Sequence, residues 1–397
     1  MTQDLPIVRM KPKSNARAIR HGFPWVYDNE IVTDRRTRSL DPGTIALLQD
    51  ENRQELGIVA FNPNSRIICR MLERDLTAKI DRYWLADRIE KALRLRERLY
   101  DQPYYRLIHA EADGLPGVVI DRFGDTAVVQ PNAAWADVLM DDLTAALIAV
   151  TGVKNVLKNA SGRARTLEGL DEDTRTVAGT VPSEPIPVPM NGATYMADLV
   201  GGQKTGLFFD QRPNHAFAAS LCKDARVLDV FSHVGGFSLA ALAGGAKSAL
   251  AVDGSEPALE LAAKGAAAMG MADRFTTRKG DAFDTLAALA DEGKKYEVVI
   301  CDPPAFAPNK QALEAGLRAY ERVARLAAPL VAEGGYLVLC SCSHAADLVR
   351  FQGACVRGIG RAGRTAQLIR TGYAGPDHPL MPQLVESGYL KALFFRL

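Results

Sequence analysis

The chain has 397 residues, 47% hydrophobic and 24% charged, with 48 Lys and Arg against 47 Asp and Glu. That length exceeds one ordinary hydrophobic core and predicts two or three domains, while the near-neutral balance argues against a protein that merely coats nucleic acid. No window approaches a membrane span, the opening MTQDLPIVRM lacks the apolar core of a secretory signal, and six irregularly spaced cysteines without a CxxC pair suit a reducing, cytoplasmic setting with no metal site.

The first 75 or so residues hold short apolar runs broken by turn residues (HGFPWVYDNEI, DPGTIALLQD, QELGIVAFNP), the pattern of a small β-rich module. Phe23, Trp25 and Tyr27 alternate and so are predicted to share one face of a strand. Such a stripe serves as core or, alternatively, as a base-stacking surface. Residues 78–99 have helical periodicity. LIHAEADGLPGVVIDRFGDTAVVQ then reads as two strands joined by Gly/Asp turns, a helix follows at about 135–150, and further strands run to about 180. This order predicts an α+β middle domain. VPSEPIPVPM, with four prolines in ten residues, marks its end. Two stretches are locally basic: residues 1–38 carry eight Lys/Arg against four Asp/Glu, and 154–165 carry Lys154, Lys158, Arg163 and Arg165 with no acid. Both fit solvated surface or a phosphate-facing surface.

From about 226 onward strands and helices alternate: ARVLDVF, FSLAALA, SALAVD, EPALELAAKGAAAMG, RFTTRKGD, a helix at 282–291, YEVVICDPP, a helix at about 310–332, and GGYLVLCSCS. Regular βαβ alternation with apolar strands predicts a parallel, doubly wound Rossmann-like α/β sheet. Ligands of such sheets bind beyond the carboxyl ends of the strands. Asp229, Asp253, Asp281 and Asp302 sit at those ends or in the turns after them. Each alone would pass for a cap, but the series predicts a ligand site. The first turn, Phe231-Ser232-His233-Val234-Gly235-Gly236-Phe237, lacks the GxGxxG of dinucleotide sites, and no phosphate loop occurs. An acid-lined pocket repels phosphates and suits a cation, which points to S-adenosylmethionine. Asp253 is then expected at the ribose hydroxyls, Asp281 and the N–H of Ala282 at the adenine edge, and Asp229 with the Gly235/Gly236 turn at the amino-acid end.

Two segments bear on chemistry. Cys301-Asp302-Pro303-Pro304-Ala305-Phe306 is a rigid turn able to grip the amino edge of a base, with Phe306 available to stack. Cys340-Ser341-Cys342-Ser343-His344 ends a strand, where alternation puts both cysteines on one side, Cys342 nearer the cleft and Cys340 in the core. A thiolate adding at C6 of a pyrimidine makes C5 nucleophilic, which is covalent catalysis. Its pKa would need an electropositive neighbour such as His344 or the sulfonium. A buried, inert cysteine is the alternative.

These motifs resemble the RlmI-type large-subunit ribosomal RNA (cytosine-C5) methyltransferases along nearly the whole chain. HGFPWVY is similar to that family's N-terminal PUA segment, EADGLPGVVIDRFGD to its middle-domain signature, and GGQKTGLFFDQR to a segment forming a β-hairpin before the catalytic domain. FSHVGGF, VDGS, GDAF, CDPPAF and SCS follow in the family's order. The resemblance implies a PUA RNA-binding domain (1–76), a middle α+β domain (77–190) and a class I S-adenosylmethionine-dependent methyltransferase domain (191–397). It implies Cys342 as nucleophile and Asp302 as cofactor and base contact. Lys204, Thr205, Gln211, Phe231 and Ser232 fall on the cofactor side, and Arg212, with Trp25 and Phe306, on the RNA side. It also implies 23S ribosomal RNA or a large-subunit precursor as partner, with the target base flipped from its stack. A homodimer is the other partner considered.

Departures accompany the match. Ala305 stands where the family's best-known members have lysine and two-cysteine RNA methyltransferases have cysteine, so the elimination step has no assigned residue. His233-Val234 replaces the usual Tyr-Thr, and KNASGRAR lacks an expected RNA-contact pattern. Methylation of a base nitrogen, as in related guanine enzymes with a similar Asp-Pro-Pro turn, is the second reading. A non-catalytic RNA-binding or assembly factor is the third.

Overall fold

The computed structural model describes residues 4–202 and 206–397, without the side chain of Glu386. Two compact units emerge, one made of the chain up to residue 182 together with 376–387, the other of 183–202, 206–375 and 388–397.

In the first unit, β1 (Ile7–Arg9), β2 (Trp25–Val26), β3 (Thr44–Gln49), β4 (Glu55–Phe61) and β5 (Cys69–Glu73) form a sheet in the order β1-β3-β4-β5-β2, antiparallel except for β1 with β3. Phe23, Trp25 and Tyr27 keep the expected alternation, each partly exposed between buried Pro24 and Val26, but the regular strand is shorter than the stripe. β2 is two residues long, and Tyr27 already caps a 3-10 turn at Asp28–Glu30. Phe23 and Trp25 still meet edge to face, ring centroids 6.3 Å apart. Helix Arg82–Leu99, capped by Asp81 through the N–H groups of Tyr83 and Trp84, leads to a second sheet of β6 (Tyr104–His109), β7 (Val118–Phe123), β8 (Thr126–Pro131), β9 (Asn155–Lys158) and β10 (Arg175–Ala178), ordered β10-β9-β8-β7-β6. The single helix expected at 135–150 is two, Ala134–Val138 and Met140–Thr151. Ala60 and Leu72 of the first sheet belong to the same apolar cluster as Trp84, Trp135 and Leu143, so the β-rich module shares its core with the α+β part.

The second unit opens with a hairpin, β11 (Ile186–Met190) and β12 (Ala193–Ala197), in antiparallel register. Its prolines are tolerated because a two-stranded ribbon leaves one edge of β11 free of ladder bonds. The hairpin lies upstream of the GGQKTGLFFDQR segment, where the resemblance had put it; residues 206–211 are irregular and run into helix Arg212–Ser220. Then come β13 (Arg226–Val230), β14 (Ser248–Asp253), β15 (Phe275–Lys279), β16 (Tyr296–Cys301), β17 (Val331–Ser341), β18 (Gln367–Gly372) and β19 (Lys391–Arg396). They form one sheet, β15-β14-β13-β16-β17-β19-β18, parallel except that β19 runs against both neighbours. The order reverses between β13 and β16, and right-handed crossovers therefore put helices on both faces. Helices Ala282–Asp291, Leu313–Ala327 and Leu348–Arg361 bury Leu286, Leu317, Val323, Phe351 and Ile359 against Leu228, Val299 and Leu337 of the sheet. The helix foreseen to about 332 ends at Ala327, followed by a 3-10 turn at Ala328–Leu330, where Pro329 removes a donor.

Candidate functional site

The site lies at the carboxyl ends of β13, β14, β16 and β17, beside the reversal of strand order. Asp229, inside β13, is wholly buried, and its Oδ2 accepts from the backbone N–H (2.9 Å) and hydroxyl (2.7 Å) of Ser238. Its Oδ1 is buried with no partner, as is the Ser232 hydroxyl. Burial, reinforced by the Asp253 charge, pushes the Asp229 carboxyl up to about 7. The turn that follows holds two non-glycine residues in left-handed conformation, Phe231 (φ 63°) and His233 (φ 49°), then Gly235 at φ 79°. Such residues cost about 1–3 kcal/mol each and persist where the surroundings fix them. Here they are fixed: the N–H of Ser232 donates to Val252 O (3.0 Å), that of His233 to Asp253 Oδ2 (2.8 Å) and that of Gly235 to Ser232 O (2.8 Å). A Cβ at Gly235 would sit 3.0 Å from the Ala262 methyl, so close packing reinforces the backbone requirement for glycine.

Asp253 also accepts from Ser255 N–H (2.8 Å), so one carboxylate ties the first turn to the second while retaining further lone pairs. Asp281 caps helix Ala282–Asp291 through the N–H groups of Phe283 (2.8 Å) and Asp284 (3.1 Å). Asp302 is partly buried. The side-chain amide of Gln211 donates to its Oδ2 (3.0 Å) and in turn accepts from Asn214 (2.7 Å). Gln211 thus grips Asp302 directly. Burial, with Asp210 close by, pushes the Asp302 carboxyl up to about 8 against the lowering effect of Gln211, leaving a carboxylic acid at neutral pH.

The Ser-Cys-Ser segment is held by its serines. Ser341 and Ser343 are wholly buried. The Ser341 hydroxyl donates to the Tyr320 oxygen (2.9 Å), which lies 2.7 Å from the Ser343 hydroxyl. The Ser343 oxygen also accepts from the Ala307 N–H at 2.9 Å, tying this segment to the Asp-Pro-Pro turn. β17 stops at Ser341, one residue short of Cys342, yet burial still alternates across Ser341, Cys342 and Ser343. The two anchored serines leave the residue between them turned the other way. Cys342 is half-buried, alone among the six cysteines; the other five are buried, and burial pushes their thiols up.

Other expected site residues have distinct settings. Phe306 lies in an aromatic cluster with Phe231 (6.3 Å), Phe283 (6.2 Å) and Tyr320 (5.0 Å), which covers much of the ring expected to stack on RNA. Arg212 lies over the Phe209 ring at 5.7 Å. Lys204 and Thr205 fall outside the described residues. In the first unit, Trp25 donates to Glu111 at 2.8 Å and lines a cavity of about 320 Å³ with Arg66, Arg70, Asn132 and Leu167.

Half of the second basic stretch is internal: Lys158 and Arg165 are buried, Lys154 and Arg163 exposed. Lys158 pairs with Asp137 at 2.8 Å and Arg165, fully buried, with Asp137 and Asp171, so these cations do not face a phosphate surface. The signature EADGLPGVVIDRFGD is likewise scaffold. Asp113 binds buried Arg96 through both oxygens at 2.7 Å, and Asp121 binds Arg106. Gly117 (φ 74°) admits no Cβ, which would stand 2.6 Å from that of Ala133.

Sequence reasoning missed three contributors: Tyr320, Asn214 and Lys391. Lys391 had a legible signal, a lysine opening an otherwise apolar strand, KALFFR.

Comparisons with known proteins bear on the family and the fold. Residues 8–74 match the PUA-like domain family and residues 143–396 the S-adenosylmethionine-dependent methyltransferase family. The chain is 35% identical to the ribosomal RNA large subunit methyltransferase I of Alteromonas mediterranea over 384 residues, 96% of each chain. It is equally close to that of Vibrio vulnificus, 35% over 398 residues and 98% of each. Among solved structures, a methyltransferase complexed with SAH superposes with a TM-score of 0.83 at 19% identity, covering 99% of both chains. An S-adenosylmethionine-dependent methyltransferase from Streptococcus mutans superposes with the same score at 18% identity, covering 99% of this chain and 100% of that one. At such identity these two speak for the fold.

Proposed function

This chain belongs to the S-adenosylmethionine-dependent methyltransferase family, and from that premise we propose that it methylates C5 of a cytosine in large-subunit ribosomal RNA through a covalent Cys342 adduct. The observation that carries the reading is the half-exposed Cys342, displayed between two anchored serines and pinned to the Asp302 turn.

The acid series suits the donor's charges. Asp229, with one buried oxygen unsatisfied, and Ser232 with the Gly235 turn would hold the amino-acid end. Asp253 would take the ribose hydroxyls, and Asp281 with Ala282 the adenine edge, beside Phe231. When bound, the donor supplies an electrophilic methyl group. Asp302, an acid at neutral pH, presents an O–H and a carbonyl side by side. That pair complements N3 and the amino group of cytosine, and Gln211 holds it in place.

The Cys342 thiolate forms a bond to C6 while the C5–C6 electron pair moves to C5, and the Asp302 proton is delivered to N3. C5 then takes the methyl group, and the electron pair of the broken S–CH3 bond stays on the donor's sulfur. Water takes the C5 proton, the C5–H pair re-forms the C5–C6 double bond as the C6–S pair leaves with the thiolate, and N3 returns its proton to Asp302. The PUA-like module, with Trp25, and Arg212 and Phe306 near the site are the proposed RNA contacts.

RNA containing 5-fluorocytosine tests this, because fluorine cannot leave as a cation and the adduct is trapped. A stable protein–RNA adduct absent from Cys342→Ala is expected, together with 5-methylcytosine in nucleoside digests of the wild-type product. Full methyl transfer by Cys342→Ala, or methyl on a base nitrogen, would overturn the covalent route.

A further inference from the structure

Lys391 opens β19, whose next four residues, Ala392, Leu393, Phe394 and Phe395, are buried, and is itself only 6% exposed. An ammonium in such surroundings is costly unless its charge is answered. Its Nζ donates to two backbone carbonyls, Ser343 O at 2.7 Å and Ala346 O at 2.8 Å. Among the described residues no carboxylate lies within ion-pair distance of it. Lys391 stands directly opposite Ser341 in the ladder, one residue before Cys342.

We propose that Lys391 is a positioning residue for the nucleophile: its buried ammonium clasps the loop that leaves Cys342 and supplies the positive charge that keeps this thiol ionised. The inference rests on the reading of Cys342 as nucleophile. Thiolates, not thiols, attack carbon, and a neighbouring lysine lowers a cysteine's pKa from its ordinary value near 8.5. The coupling is mutual. Burial holds the lysine below its usual value, while the Cys342 and Asp347 charges act to raise it; the lysine must favour the ionised cysteine to the same degree.

The other titratable groups packed here have their own engagements. The Tyr320 hydroxyl is bonded to Ser341 and Ser343. The His344 ring lies 5.6 Å from that of Tyr389, whose hydroxyl donates to Asp210 at 2.7 Å. Asp302 is held by Gln211 and protonated at neutral pH, and Asp347 caps helix Leu348–Arg361 through the Arg350 N–H. Among these, Lys391 is the cation joined to the loop itself, beside the two expected from the sequence, His344 and the donor's sulfonium.

The test uses the full chain without RNA or methyl donor, measuring iodoacetamide alkylation of Cys342 against pH by peptide mass spectrometry. The wild type should titrate at least about one unit below 8.5. Lys391→Met should move the midpoint back up and slow alkylation at pH 7 about tenfold, since one pKa unit is a tenfold change in thiolate. Lys391→Arg should stay low. A wild-type midpoint at or above 8.5, or a folded Lys391→Met with the wild-type midpoint, overturns the proposal. If Lys391→Met fails to fold, the wild-type and Lys391→Arg midpoints decide, and either at or above 8.5 refutes it. Which RNA atom carries the methyl is read separately on nucleosides, so failure of the C5 reading is distinguishable from failure of this one.

Discussion

Asp229 is wholly buried and Asp302 partly so at the ends of a parallel sheet, and burial raises both carboxyls, to about 7 and about 8. In the unfolded chain an aspartate titrates near 3.9. The native state therefore binds more protons than the unfolded one between those limits. Stability from these groups is fully present below about pH 4 and is lost as pH rises through 7 and 8. Without donor, the denaturation midpoint should fall from pH 5 to pH 8.5, and Asp302→Asn should flatten the upper part of that slope. A cationic donor favours the ionised carboxylates, so its affinity, measured by calorimetry, should climb over the same window. A midpoint that rises with pH in this range would contradict the assigned burial.

Helix Leu313–Ala327 carries its functional weight on one hydroxyl. Tyr320 lies in the middle of the helix, 2% exposed, and receives Ser341 while meeting Ser343. Tyr320→Phe keeps the ring among Phe306 and Phe351 but leaves two buried serines short of a partner. A loss of about 1–3 kcal/mol in denaturant unfolding is expected. Methyl transfer should slow while donor affinity holds, because the acid series does not depend on this hydroxyl. Equal loss of donor binding would mean the helix shapes the whole crevice rather than the Ser-Cys-Ser segment alone.

For the molecule as a whole, the division into two units gives the long EADGLPGVVIDRFGD signature a structural meaning. Asp113 answers the charge of Arg96, which is fully buried and also donates to Asp377 O at 2.9 Å, within the first unit. Asp113→Ala would strand that guanidinium, a change that typically costs about 3–5 kcal/mol. A large drop in the first unit's stability is expected, read by hydrogen exchange of helix Arg82–Leu99, with donor binding by the second unit retained. Loss of donor binding with unchanged exchange protection would assign the signature to the site instead.

Period and turn chemistry were enough to foretell the alternating strands from Arg226 to Ser341, the strand-end acids and the absence of a phosphate loop, because these depend on local backbone preference and on which coenzymes a given turn admits. β18 and β19 were not foreseen, nor the fate of Lys158 and Arg165, since a charge count does not distinguish a solvated cation from one paired inside a core. Which of Cys340 and Cys342 would be displayed was anticipated, but the reason lay elsewhere. It came from Tyr320 and Lys391, about 20 and 50 residues away in sequence, whose bonds to Ser343 exist only once helix, sheet and last strand have packed together. Local pattern fixes the elements; the long-range hydrogen bonds and the low-dielectric burial that set a carboxyl near 8 are properties of the packed whole.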